Sequence, residues 1–119
     1  MRFLRNDLAR VPRETLVVIA QHIPMAATKN KDEVLALLEG RRCLMLSGHT
    51  HSVFRKRLAD NVQELVAGAV CGLLWTGEQD LDLVPRSLQP CGTPRNYFRI
   101  DFDKADYAFR FKGIGIDKG

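Results

Sequence analysis

The sequence predicts an α/β unit followed by an all-β region. Three observations carry that prediction. Two short apolar runs, at 16–20 and 43–46, are separated by a segment of helical character. Near the end, two stretches alternate apolar and polar residues around a polar turn. The chain is 119 residues long, 45% hydrophobic and 27% charged, which suits one small domain with its own core and argues against disorder.

Residues 2–10 read as a short helix. Phe3, Leu4, Leu8 and Val11 share one face, and Pro12 stops it because proline lacks the amide donor. Leu16, Val17, Val18, Ile19 and Ala20 follow without alternation. Such a run reads as a central, parallel strand covered on both faces. Thr28 to Asn30 offer helix N-caps, Asp32 and Glu33 suit the positive end of the helix dipole, and Val34, Leu35, Leu37 and Leu38 give the apolar face. Gly40 is a natural stop before the second strand at 43–46. Strand, helix, strand at this spacing is a βαβ unit, whose two strands run parallel and end on one edge.

Residues 52–60 form a polar stretch containing Arg55, Lys56 and Arg57. Residues 65–75 are apolar with Gly68 and Gly72, and read as a strand with bulges. Residues 76–94 are loop-like. The hairpin follows: Phe98, Ile100 and Phe102 alternate with Arg99 and Asp101, residues 103–106 turn, and Tyr107, Phe109 and Phe111 alternate with Ala108 and Arg110. The expected division places residues 1–75 in one unit and 76–119 in a β-rich region.

A formal charge of +4 and a pI of about 9.2 permit a phosphate-bearing partner without requiring nucleic acid. The hairpin lacks the exposed aromatic platform with basic stripes that single-stranded nucleic acid needs. Cys43, Cys71 and Cys91 form no C-x-x-C pair and no disulfide framework; Cys43 and Cys71 read as buried thiols. The first residues carry charges where a signal peptide has its apolar core, and no run is long enough to span a bilayer.

The chemistry concentrates on three histidines. His22 directly follows the first apolar run, and Gly48-His49-Thr50-His51 follows the second. In a βαβ unit both strand ends lie on the edge where open α/β sheets bind ligands, about 4.8 Å apart if the strands are neighbours. The pattern therefore predicts that His22, His49 and His51 converge. Three neutral imidazoles suit one zinc ion. Gly48 is expected to let the backbone turn tightly there.

Two patterns then point to a family. The isolated histidine in Gln21-His22-Ile23-Pro24, followed after a helix-sized spacer by Gly48-His49-Thr50-His51, resembles the closing signature of the calcineurin-like metallophosphoesterases. Residues 68–75, 92–97 and 110–115 resemble the β-rich C-terminal region of one bacterial branch of that family, with Leu74, Cys91 and Asn96 standing where the branch usually has Trp, Asp and Gly.

The resemblance implies a βαβ half of a metallophosphoesterase sandwich with a C-terminal antiparallel region, acting on a phosphoester. It implies two divalent metals, zinc, manganese or iron, with His22 and His49 on one and His51 on the other. Arg55 and Arg57 are candidate contacts to substrate phosphate, or a solvated loop. Trp75 and Tyr97 are candidate pocket residues, or packing. The family's earlier motifs, Asp-x-His, Gly-Asp-x-x-Asp and Gly-Asn-His, are absent: Asp7 is followed by Leu8 and Ala9, Asp60 by Asn61 and Val62, and no Gly-Asp or Asn-His pair occurs. The expectation is a fragment inactive alone, with an exposed apolar sheet edge: either a truncated reading frame, or a chain whose missing half a separate polypeptide could supply. Relatives with this tail are often exported. The rival expectation is a non-catalytic three-histidine metal-binding or interaction module.

Overall fold

The computed structural model describes residues 1–69 and 95–114. In chain order these form α1 (Arg2–Leu8), β1 (Val17–Ala20), a single 3-10 turn (Met25–Ala27), α2 (Lys31–Leu37), β2 (Cys43–Ser47), β3 (Phe54–Ala59), β4 (Val62–Val66), β5 (Asn96–Asp103) and β6 (Asp106–Gly113). The expected strand at 65–75 falls partly here: β4 starts at Val62 and ends at Val66. Residues 70–75, the loop-like stretch 76–94, and with them Cys71, Trp75 and Cys91, lie outside the described residues.

The βαβ unit is present, with β1 and β2 parallel and adjacent, pairing Val17 with Cys43 through to Ala20 with Leu46. Strand β4 adds in parallel to the other side of β2, and β3 pairs antiparallel with β4. The sheet order is β1-β2-β4-β3. The polar stretch at 52–60 is therefore largely a strand. An edge strand solvated along its charged residues needs no apolar alternation, so Arg55, Lys56 and Arg57 sit exposed within it.

Strand β1 corrects the expectation of a central strand covered on both faces. Among the described residues it is an edge strand, with Val17 and Ile19 half-buried against the helices and Val18 and Ala20 exposed. Its unbroken apolar character suits two covered faces and a second neighbour, whereas here one face is covered and one neighbour, β2, is paired.

The core lies on the helix side of the sheet. Cys43 and Met45 of β2 and Val62 of β4 pack with Leu8, Met25, Val34 and Leu38. Burial pushes the Cys43 thiol up to about 12, so it stays protonated as a small apolar group. Helix α1 has seven residues, too few to stand alone. It ends at Leu8, earlier than Pro12 requires, and Phe3 is exposed rather than on the buried face. Arg41 holds it: its buried guanidinium donates to the carbonyls of Leu8 (2.8 Å), Val11 (2.9 Å) and Pro12 (3.0 Å). That satisfies carbonyls a helix end leaves open. Asn30 is the N-cap of α2, though its side chain makes no capping bond, and Gly40 takes φ 69° just past the helix.

The hairpin forms in the expected register. Phe98 faces Phe111, Ile100 faces Phe109, and Asp103 faces Asp106 across the turn. Phe98 meets Phe109 and Phe111 edge-on at 6.0 and 6.4 Å between ring centres. The hairpin is tied to the larger sheet at named points. Tyr107 donates its hydroxyl to Gln63 Oε1 (2.6 Å), and Arg42 donates to Asp106 Oδ1 (2.8 Å) and to the Ala105 carbonyl (3.0 Å). Buried Asn96 accepts from the Gly68 amide (3.0 Å). Among the described residues no helix is long and apolar enough to cross a membrane.

Candidate metal centre

The parallel ladder runs past the ends of β1 and β2 and sets the histidines. The Gln21 amide donates to the Leu46 carbonyl (2.9 Å), and the Gly48 amide donates to the His22 carbonyl (3.1 Å). His22 is thereby held beside Gly48, one residue from His49. Its exit is fixed by the Gln21 side chain, which donates to the Ile23 carbonyl (2.9 Å), and by buried Pro24.

The two side chains meet. His49 Nδ1 lies 3.0 Å from His22 Nε2, and the rings stand edge-on with centres 4.8 Å apart. Both residues are exposed, so the pair faces solvent at the sheet edge. The expected tight turn is here, but glycine does not take its unusual conformation. The Thr50 amide donates to the Gly48 carbonyl (2.7 Å), closing a three-residue γ-turn centred on His49, whose φ is 67°. His51 follows at φ 56°. A left-handed backbone at a non-glycine residue costs on the order of 1–3 kcal/mol. At Gly48 an added Cβ would meet only ordinary contacts, the Ala67 carbonyl oxygen at 3.9 Å being nearest. The strained positions are the histidines themselves.

The chemistry of this pair fits a divalent cation. A hydrogen bond at this distance places a proton on one of the two facing nitrogens. Moving that proton to the ring's other nitrogen leaves two lone pairs facing one point. Two imidazoles on one tetrahedral ion, at about 2.0–2.1 Å each, have nitrogens roughly 3.3 Å apart, a few tenths of an ångström more than the pair shows. Among the described residues no group of three or more His, Cys, Asp or Glu gathers as a metal cluster.

Behind the pair sits a residue the sequence reading missed. Glu64 of β4 is fully buried. Its Oε1 accepts from the Met25 amide (2.7 Å) and from Ser47 Oγ (2.9 Å), while Oε2 has no hydrogen-bond partner among the described residues. The available signal was one acid inside the apolar run Val62-Gln63-Glu64-Leu65-Val66. A carboxylate is seldom fully buried unless paired, so such an acid marks either a solvated face or a fixed internal contact.

The candidate phosphate contacts lie farther off. Through the register of β2, β4 and β3, Arg55 stands opposite Leu65 and Leu46, two strands across from the histidine edge. Arg57 stands deeper along the sheet, opposite Gln63 and Leu44, and pairs with Asp60 at 3.3 Å. With Arg42, Asn61 and Tyr107 it lines a polar hollow of about 520 Å³ at the other end of β2. Tyr97 is exposed on the hairpin.

In comparison with protein families, residues 64–119 fit the family model described as the C terminal of Calcineurin-like phosphoesterase. The matched segment begins at Glu64 and includes β5 and β6; the three histidines precede it. No curated protein and no solved structure matches the chain.

Proposed function

We propose, from the match of residues 64–119 to the C-terminal region of the calcineurin-like phosphoesterases, that the chain is a C-terminal part of such a protein and supplies the closing half of a metal-dependent phosphoester hydrolase. The observation that carries this reading is the 3.0 Å meeting of His22 and His49 at the ends of two adjacent parallel strands. His22 and His49 would hold one divalent ion and His51 would serve a second. Divalent ions in such a centre supply positive charge that offsets the repulsion between an anionic phosphoester and its nucleophile. The chain's own part is to orient the imidazoles: the β1–β2 ladder brings their backbones side by side, and the γ-turn aims His49.

In this reading residues 1–75 are half of a metallophosphoesterase sandwich and 76–119 its β-rich extension. Catalysis needs the acidic, Asn and His motifs that this sequence lacks, and a further polypeptide segment supplies them. Two features support such a segment. Among the described residues nothing pairs the outer side of β1, and its Val18 and Ala20 are exposed. A mainly apolar groove of about 660 Å³ runs along the same strand, lined by Phe3, Leu8, Val17, Ile19 and Met25 among others. A strand added in parallel to β1 would pair the edge.

Co-expression with a polypeptide carrying Asp-x-His, Gly-Asp-x-x-Asp and Gly-Asn-His motifs, assayed on p-nitrophenyl phosphate and bis-p-nitrophenyl phosphate, tests the reading. Turnover in the mixture that disappears with His49→Ala is expected. Metal uptake with no turnover in any mixture would favour the non-catalytic module.

A further inference from the structure

Glu64 has a placement that neither packing nor the histidine pattern explains. It lies on the helix-facing side of β4, opposite Met45, on the face of the sheet whose core includes Cys43, Met45, Val62, Met25 and Val34. Burying a carboxylate among apolar side chains is costly unless hydrogen bonds compensate. Here one oxygen receives both bonds. The two donors belong to the two segments that carry the histidine pair. Met25 is three residues after His22, in the 3-10 turn that receives the chain leaving β1. Ser47 is the last residue of β2, two residues before His49.

We infer that Glu64 is the positioning residue of the His22/His49 centre. A single acceptor, fixed on a central strand, ties the segment after His22 to the segment before His49 and so sets the ring-to-ring spacing from behind. The β1–β2 ladder holds the two backbones together as far as His22 and Gly48. Glu64 adds a tie from β4, so that the turn after His22 and the end of β2 are anchored to one point below the ladder. The device also links two parts of the sequence: the histidines precede the matched C-terminal region, whereas the residue that holds their segments is the first of it. The strained backbone at His49 needs such support, because a left-handed φ persists only where its surroundings determine it. The inference rests on the pair being a metal centre, but it makes a separate statement about how the rings are held.

The test uses the full chain and two readouts. The first, on metal-free protein, is the imidazole nitrogen NMR signals of His22 and His49, which report the shared N–H···N contact. The second is titration with Co²⁺ followed by its visible absorption. Glu64→Leu is expected to remove the His22–His49 contact signature and to weaken Co²⁺ binding by about 10- to 100-fold, the usual effect of losing a group that orients metal ligands. Glu64→Gln keeps a carbonyl oxygen for both donors and is expected to retain the ring signature. Val62→Ala trims a buried side chain of the same strand; it is expected to lower stability and leave both readouts at wild-type values.

If Glu64→Leu does not fold, Ser47→Ala, which removes one of the two bonds, is read in its place and is expected to shift both ring signals. Ring signals and Co²⁺ affinity unchanged in the folded Glu64 or Ser47 variant would overturn the inference. Equal effects from Val62→Ala would do the same, because they would reduce Glu64 to general stability. A wild-type chain that binds no Co²⁺ would overturn the metal reading instead, and the ring signals would then decide the role of Glu64 alone.

Discussion

Arg41→Ala should detach α1 from the sheet while leaving the histidine pair intact. Arg41 is 7% exposed and donates three hydrogen bonds, two from Nη1 and one from Nη2, to carbonyls of Leu8, Val11 and Pro12. Hydrogen bonds involving a charged group contribute roughly 1.5–3 kcal/mol each where buried. The desolvated guanidinium offsets part of that sum, and water can reach the Val11 and Pro12 carbonyls once the side chain is gone. A net loss of about 2–4 kcal/mol remains. Arg41→Lys keeps the charge but not the planar fork, so it should recover roughly half. Urea denaturation followed by far-ultraviolet circular dichroism measures both losses, and amide exchange should show α1 opening first. Cys43 begins β2 just after Arg41, while the histidines follow its far end, about 17 Å away at 3.3–3.4 Å per residue. The ring signals of His22 and His49 should therefore not move. Stabilities of Arg41→Ala and Arg41→Lys within about 0.5 kcal/mol of wild type, the range of ordinary surface changes, would refute this account of how α1 is held.

Three further outcomes follow from the geometry. Gly68→Ala should cost about 1–3 kcal/mol in denaturant titration, because its Cβ would overlap Asn96 Nδ2 and lie 3.0 Å from Val53 Cγ2, and buried Asn96 has little room to yield. The Asp106 carboxyl is held below its ordinary value first by the Tyr107 amide and then by Arg42. Its contribution is present above the unfolded carboxylate range near pH 4 and fades as pH falls through the lower folded value. Carboxyl-carbon NMR should show that depressed titration, and Arg42→Met should move it part of the way back. Cys43, with its thiol pushed up to about 12 by burial, should resist iodoacetamide at pH 8 in the folded chain and react once urea exposes it, as peptide mass mapping will show.

Much of this architecture was legible because its signals are periodic or terminal. The run of Val17, Val18 and Ile19, the helix ending near Gly40 and the second run starting at Cys43 sufficed for parallel neighbours, and parallel neighbours sufficed to bring His22 to His49. The hairpin was equally plain from Phe98, Ile100, Phe109 and Phe111. Strand β3 was hidden because Arg55, Lys56 and Arg57 interrupt any alternation, as an edge strand permits. The edge position of β1 was hidden for the opposite reason, since its composition is that of a strand with two covered faces. The left-handed backbone at His49 and His51 is not visible in their spacing, yet it decides where each ring goes. Glu64 was missed because an acid in a strand is ordinarily a surface residue, and only the three-dimensional meeting of Met25, Ser47 and β4 gives it a role.

The central claim is that His22 and His49 form one cation-binding pair, and calorimetric titration of the full chain with Zn²⁺ tests it most directly. The account predicts saturable uptake of an ion that depends on both imidazoles, with His22→Ala and His49→Ala each weakening it by at least about tenfold and His51→Ala affecting it far less. Absence of saturable uptake, or uptake that survives loss of either His22 or His49, would contradict it.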